Sequence, residues 1–460
     1  MDDKNRHLSE QDILRITQES LHKTFGQLGL IEINKAHKGG LGNFVEENVF
    51  KYKANSDDHP DFIDAQIELK VTPVKCDDRG NFTSKERLVL NMIDYFKEES
   101  ATFETSSFYR KNRRLLVWFY QYVKGKAQCD FEITAWDLFE FEHSLDYKVI
   151  RRDWEIIHEK IKKGNAHEIS ESDTTFLAAC TKGADSSQTR KQPNSVILAK
   201  PRAYSFKNSF MTRLYREAIH NIAPYVSFIS DEEWMKNPLE EIYKEKLSKF
   251  HGMSIVDLKH IFYINSKAKQ LPFLIAQKML GLSGKDSSTQ EMADAGIKLK
   301  IVRLKKNGKP HESMSFPAFD FTELISVPWE LSEIREEFVD WKLMFFVFKD
   351  DDNGVCRFDR VQFWNIPNSI VDGQIKKMYE EAASLIKNGT ALSFINGKIV
   401  DRFAKESRNG NGVCHIRPHG RNKADVFKLP VIDKETNLSK YTKQSFWFNS
   451  NFIKKILEEN

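Results

Sequence analysis

The stretch Asp61-Phe62-Ile63-Asp64-Ala65-Gln66-Ile67-Glu68-Leu69-Lys70 decides how the rest of the chain is read. Apolar residues at Ile67, Leu69 and Val71 predict a strand over residues 67–71. Side chains alternate faces along a strand, so Glu68 and Lys70 emerge on one side, about 7 Å apart along the backbone. Asp61 precedes the strand by enough residues for a bend to return its carboxylate toward Glu68. Asp64 reads as a turn residue. Carboxylate oxygens suit a hard cation such as Mg²⁺. Such an ion would acidify a water and neutralise charge on a reacting phosphate. Lys70 would orient that water and offset the extra negative charge of the transition state. A glutamate and a lysine two apart are also common on solvated strand faces, so the triplet by itself decides little.

Upstream, Lys38-Gly39-Gly40-Leu41-Gly42-Asn43-Phe44-Val45-Glu46 reads as a glycine-rich turn opening a helix. Glu46, on its first turns, can supply a third carboxylate. Val49 and Phe50 continue that helix and are expected to pack under the sheet.

An altered version, Asp294-Ala295-Gly296-Ile297-Lys298-Leu299-Lys300, stands in the C-terminal half. The order of elements recurs around it. Residues 254–263 correspond to an opening helix at residues 8–27, for which Ser9 is the candidate N-cap. Residues 271–280 correspond to the Glu46 helix, 297–304 to the first strand, and 343–348 (LMFFVF) to a second strand at 114–122 (RLLVWFYQY). The polar stretch 414–428 matches a loop-like stretch at 170–190, and 443–456 (KQSFWFNSNFIKKI) matches 202–214 (RAYSFKNSFMTRL). Further helices are expected at 153–163 and, as a charged connector, at 231–249. In the second copy Glu46 is matched by Ala276 and Glu68 by Lys298, while Lys300 persists. An ungapped count sets Glu291 opposite Asp61. A lysine in place of a metal-binding carboxylate repels Mg²⁺, so this half reads as a copy that no longer cuts: a stabilising partner or a DNA-binding module.

Length and composition agree with two or three folded domains. The chain has 460 residues, 40% of them apolar, with 34 phenylalanines. A net charge of +4 does not announce a nucleic-acid binder, so local clusters must. Five cysteines, Cys76, Cys129, Cys180, Cys356 and Cys414, are widely spaced and indicate neither zinc nor a disulfide framework. The polar N-terminus lacks an apolar core for export and no segment is long enough to span a membrane, so a soluble cytoplasmic protein is expected.

Several stretches carry a resemblance to a known family: residues 84–96 (SKERLVLNMIDYF), 103–108 (FETSSF), 180–185 (CTKGAD), 312–316 (ESMSF) and 442–447 (TKQSFW), together with Glu46, Asp61, Glu68 and Lys70. Over nearly its whole length the chain resembles the MutH-like branch of the restriction-endonuclease fold, which includes the mismatch-repair nicking enzyme and the Sau-type GATC restriction endonucleases. The resemblance implies an α/β fold of two tandem restriction-endonuclease-like domains, each a mixed sheet flanked by helices. It implies a catalytic domain over residues 1–225, a helical connector over 226–250, and a catalytically dead domain over 251–460 that binds DNA as an effector. Implied too are Mg²⁺ as cofactor, held by Asp61, Glu68 and Glu46, and hydrolysis of both strands of duplex DNA before the G of GATC. Lys111 falls where the family has a further active-site lysine. One departure matters. On the strand where the repair enzyme senses adenine methylation through a tyrosine, this chain has Ser205 at that position and Tyr204 one residue earlier, which favours restriction over repair.

DNA contacts are expected from basic clusters. The resemblance puts Lys182 and its neighbour Gly183 near the bases and makes Arg202 and Lys207 candidates for backbone contacts. In the second half Arg417, His419 and Lys443 are the corresponding candidates. Each phosphate neutralised releases counterions and steepens the salt dependence of binding. His415 and His419 are four apart, but Pro418 argues against a helical metal site. Phe446, Trp447 and Phe448 read as core rather than as a stacking platform. A palindromic site has two scissile bonds while the chain has one intact acid cluster, so a dimer formed on DNA is expected, with a cognate methyltransferase in the same system and no membrane partner. Two other readings stay open: a GATC-nicking repair endonuclease, and a non-catalytic DNA-binding regulator.

Overall fold

The computed structural model describes residues 3–31, 40–54, 58–77, 80–142, 146–182, 188–220, 226–265, 270–283, 288–405 and 411–459. Two compact units emerge: Met1–Tyr225 with Glu291–Gly296, and Val226–Gln290 with Ile297–Asn460.

Among the described residues the first unit has seven strands: β1 (Glu68–Cys76), β2 (Phe82–Ser84), β3 (Leu88–Met92), β4 (Arg114–Gln121), β5 (Ile133–Glu140), β6 (Leu177–Thr181) and β7 (Arg202–Phe206). One mixed sheet has the order β2-β1-β4-β5, with β1 and β4 parallel and the other pairs antiparallel. A smaller antiparallel sheet has the order β3-β7-β6. Leu115 to Phe119 of β4 are fully buried, as a strand covered on both faces requires. Helix Tyr147–Lys162 buries Val149, Ile150, Trp154, Ile157 and Ile161, one stripe at helical spacing. Asp153, on the same stripe, accepts hydrogen bonds from the backbone N–H groups of Thr175, Phe176 and Leu177 at 2.6–2.9 Å and so anchors the start of β6.

The second unit carries β8 (Ile297–Leu304), β9 (Met314–Phe319), β10 (Lys342–Asp350), β11 (Cys356–Asn365), a hairpin of β12 (Leu392–Ile395) and β13 (Lys398–Asp401), then β14 (Cys414–Pro418), β15 (Val426–Lys428), β16 (Lys440–Thr442) and β17 (Gln444–Phe448). Its main sheet, β11-β10-β8, again has one parallel pair, β8 with β10, and one antiparallel pair. Its second sheet, β14-β17-β9, is antiparallel and repeats the order β6-β7-β3 of the first unit. Each unit has its own apolar core. The two units thus share topology, as the recurring order of elements in the sequence suggested.

Several expectations need adjusting. The opening helix is Glu10–Ser20, capped by Ser9 Oγ, which accepts from Asp12 N at 3.2 Å. It stops short of residue 27 because His22 takes φ 61° and Phe25 N bonds to Phe131 O at 3.0 Å. The stretch 170–190, read as a polar loop, holds β6, and its counterpart 414–428 holds β14 and β15; β6 pairs with β7, β14 with β17 and β15 with β16. The charged stretch read as a connector forms helices Asp231–Lys236 and Leu239–Ser248, which fall within the second unit, where Tyr243 is fully buried against Phe363 at 6.1 Å. Among the described residues no helix is long and apolar enough to cross a membrane.

Candidate active site

The first-unit acids meet because the chain doubles back between Asp61 and Glu68. Phe62 and Ile67 form an isolated antiparallel bridge, with Phe62 N to Ile67 O at 2.9 Å and Ile67 N to Phe62 O at 3.2 Å. Gln66 makes the bend by adopting φ 55°, a conformation that costs a non-glycine residue energy. Arg6 braces the outer side, its Nε donating to Asp61 O at 3.1 Å and its Nη2 to Pro60 O at 3.3 Å. Below lie Phe50, Phe62 and Trp118, all within 1% exposure, with ring centroids 5.0 Å and 5.5 Å from Phe50. This floor keeps the hairpin rigid and the acids out of bulk water.

The result is a linked pair of carboxylates. Asp61 N donates to Glu68 Oε2 at 3.2 Å, and Leu69 N donates to Asp61 Oδ2 at 3.0 Å. Asp61 is 5% exposed and Glu68 2%. Lys70 Nζ stands 2.5 Å from Glu68 Oε1, and Lys111 Nζ, at the end of helix Ser107–Asn112, 3.7 Å from the same oxygen. Glu46 is half-buried on a π-helical turn, Val45–Val49, that follows helix Gly40–Phe44. Such turns often mark functional positions. Lys38 and Gly39 of the glycine-rich turn lie outside the described residues.

Burial sets the electrostatics. It pushes Asp61 up to about 8, with the Glu68 charge adding to the effect and Lys70 opposing it. It pushes Glu46 up to about 7, again against the pull of Lys70. Burial also disfavours the Lys70 ammonium, but Glu68 and Asp61 outweigh it and hold this lysine above its ordinary value. Burial and like charge raise two of these acids together, and a bound cation would relieve both effects. The donor set is all hard oxygen and fits Mg²⁺ in kind. Among the described residues no three acid, histidine or cysteine groups are already drawn into a metal-holding arrangement. Lys70 and Lys111 both supply positive charge at Glu68. Sequence reasoning missed Tyr52, a fully buried phenol whose Oη has no hydrogen-bond partner among the described residues and which lies in the field of Asp61, Glu46 and Glu68. No spacing rule would have singled it out.

The basic candidates divide sharply. Arg202 and Lys207 are 3% and 1% exposed. Arg202 donates to Ala179 O at 2.5 Å and to Ile169 O, and Lys207 Nζ to Thr174 O at 2.5 Å. Their charges tie strands and turns together and do not face outward. Tyr204 and Ser205 are also fully buried. Tyr204 Oη donates to Glu98 Oε2 at 3.2 Å, while Ser205 Oγ has no hydrogen-bond partner among the described residues. Lys182 is half-buried where the chain leaves β6, its N–H bonded to Pro201 O at 2.7 Å. Gly183 lies outside the described residues.

In the second unit His419 takes the position of Lys182. It leaves β14 with its N–H on Lys443 O at 2.8 Å, and Pro418 pairs with Gln444 as Thr181 pairs with Arg202. Arg417 is exposed and lies over the Trp447 ring at 4.6 Å. Lys443 is half-buried, 2.8 Å from Asp425 Oδ1. Phe446 and Phe448 are core, as expected, while Trp447 is half-buried beneath Arg417. Glu291 lies on a short helix, Gln290–Asp294, with no bend like that at Asp61. The ungapped count therefore does not place it in an equivalent local structure.

Comparison with known proteins agrees with this architecture. Residues 50–153 match the family model described as DNA mismatch repair enzyme MutH, a span that includes Asp61, Glu68, Lys70 and Lys111. The chain is 35% identical to the Type II restriction enzyme Sau3AI of Staphylococcus aureus over 487 aligned positions, covering 98% of this chain and 99% of that protein.

Proposed function

The chain belongs to the MutH-like family of type II restriction endonucleases, site-specific deoxyribonucleases that act on DNA, and on that premise we propose that it hydrolyses both strands of duplex DNA at GATC, before the G, with Mg²⁺. The observation that carries the catalytic reading is the buried pair Asp61 and Glu68, joined through Asp61 N and flanked by Lys70 and Lys111.

Asp61, Glu68 and Glu46 would hold the divalent ion, which when bound supplies Lewis acidity and neutralises charge at the scissile phosphate. Leu69 N fixes Asp61 by holding its Oδ2. Lys70 sits against Glu68 Oε1, where its ammonium can orient a water and stabilise charge gained by the phosphate in the transition state. Lys111 adds a second positive charge on the same side. The aromatic floor excludes water and raises the worth of each of these interactions.

The second unit keeps the topology and lacks the acids. We read it as a DNA-binding effector that engages a further GATC copy and favours two active units on one target. Supporting this are the parallel pair and the three-stranded antiparallel sheet that it shares with the first unit, with an exposed Arg417 and His419 where the first unit has its β6 exit.

The deciding assay incubates the protein and Mg²⁺ with a GATC plasmid, beside Glu68→Ala and a plasmid without GATC. Double-strand cuts by the unaltered protein on the GATC plasmid alone are expected. Single-strand nicks only would favour repair, and binding without cutting would favour a regulator. Cleavage rising more than linearly with enzyme, and faster on multi-site plasmids, is expected of the effector arrangement. Equal rates per site would count against it.

A further inference from the structure

β8 carries two lysines in the register where β1 carries a glutamate and a lysine. Glu68 pairs with Leu115 and Lys70 with Val117 across the parallel ladder of the first unit. Lys298 pairs with Leu343 and Lys300 with Phe345 across that of the second. Arg114 opens β4 as Lys342 opens β10, so the two ladders are aligned residue for residue. Positions two apart share a strand face. The face that gathers acid in one unit therefore presents two ammonium groups in the other.

Two other charged positions of the site are apolar here. Ala276, matched to Glu46, is fully buried. Val339 stands three residues before Lys342, as Lys111 stands three before Arg114, and it too is core. Lys298 is exposed, with its Nζ 5.5 Å from the centroid of Trp341. Lys300 Nζ donates to Ser315 O at 2.7 Å and lies 4.7 Å from the centroid of Phe316. Neither lysine has an ion pair among the described residues. Burial and the neighbouring Lys298 pull Lys300 down to about 8, as expected of charge without an acid to balance it. Glu337 is the carboxylate whose field reaches Lys298. The same neighbourhood holds His419, whose Nδ1 is 2.9 Å from Ser445 Oγ and whose ring is 5.5 Å from Trp447, the ring under Arg417.

We propose that this face of the second unit is a metal-free clamp for a DNA phosphodiester, in which Lys298 and Lys300 supply directly the positive charge that the first unit must borrow from a divalent ion. The clamp rests on the effector reading of this unit and adds to it the ligand group, the residues and independence from metal. Chemistry needs an ion that can reorganise oxygen ligands. Binding needs only charge and donors, and an ammonium supplies both to a phosphate oxygen. The rings of Trp341 and Phe316 lie under the two ammonium groups, which a ring face attracts.

The test titrates the full chain with a labelled GATC duplex in EDTA, where nothing is cut, and counts duplexes bound per chain. Three proteins are compared: unaltered, Lys298→Gln with Lys300→Gln, and Lys298→Arg with Lys300→Arg. Melting curves check that all three are folded. The unaltered protein and the arginine pair are expected to take up two duplexes per chain. The glutamine pair should bind the second at least ~10-fold more weakly, with a salt slope smaller by about 1, for the one phosphate no longer neutralised. A glutamine pair that binds the second duplex with the same affinity and slope overturns the clamp and leaves the effector reading standing. So does a second duplex that binds the unaltered protein only when Mg²⁺ is supplied. One duplex per chain with and without Mg²⁺ would remove the effector reading itself, and the clamp with it.

Discussion

Replacing Lys70 by methionine keeps the length of the stem and deletes the ammonium that stands 2.5 Å from Glu68 Oε1. Glu68 would then keep the Asp61 N–H on Oε2 at 3.2 Å and the Lys111 ammonium at 3.7 Å. A hydrogen bond to a charged group contributes roughly 1.5–3 kcal/mol. Breaking a buried pair costs more, roughly 3–5 kcal/mol, when the remaining charge is left uncompensated. Here Lys111 still compensates in part, so the lower range applies, about 2 kcal/mol. For a unit of this size that is a fall in Tm of roughly 4–8 °C. The effect on rate should be larger. Losing one donor aimed at developing charge costs roughly 10²–10³ in kcat. Single-turnover cleavage of a GATC duplex at saturating Mg²⁺ reads the rate, and a melting curve reads the stability. Lys70→Arg, which keeps the charge, should recover part of both. A Lys70→Met protein that cuts within a few-fold of the unaltered rate would refute the placement of Lys70 at the reacting phosphate.

Arg202→Met and Lys207→Met should each lower stability by roughly 1–3 kcal/mol, because buried main-chain carbonyls lose their donors, and should leave the salt slope of DNA binding unchanged. A reduced slope in a protein that melts normally would contradict this. Lys182→Gln, by contrast, should reduce the slope by about 1 with little change in melting temperature; an unchanged slope would take Lys182 off the DNA. Without metal, stability should decline as pH rises toward 8, because folded Asp61 and Glu46 hold protons that their unfolded counterparts have released. A divalent ion must displace those protons, so Mg²⁺ should raise the melting temperature more at pH 8.5 than at pH 6. Equal increments at both would show that these two acids do not hold the ion.

The elements legible from residue patterns were those where packing alone decides. Ile67 and Leu69 are buried, as their alternation with polar residues required, and the strand at residues 297–304 was found at its full length. The strands β6 and β14 were hidden because short runs such as Leu177-Ala178-Ala179-Cys180-Thr181 sit among turn residues and become strands only when β7 lies beside them. The meeting of Asp61 with Glu68 depends on one backbone angle at Gln66, which no propensity predicts. Arg202 and Lys207 misled because a basic side chain in a polar context reads as surface. Their tips are consumed by carbonyls of turns that only the folded chain brings near. The reverse holds for Lys298. Its oddness was plain in the sequence, while its meaning required the ladder register that sets it opposite Leu343 as Glu68 is set opposite Leu115.

The most direct test of the central claim counts Mn²⁺ bound to the full chain by electron paramagnetic resonance, with a GATC duplex present and Mg²⁺ as competitor. Mn²⁺ displaceable by Mg²⁺ should bind the unaltered protein and the Lys298→Gln, Lys300→Gln pair alike, and should be lost from Asp61→Asn. Retention of that Mn²⁺ by Asp61→Asn, or its loss on changing only the two second-unit lysines, would contradict the account.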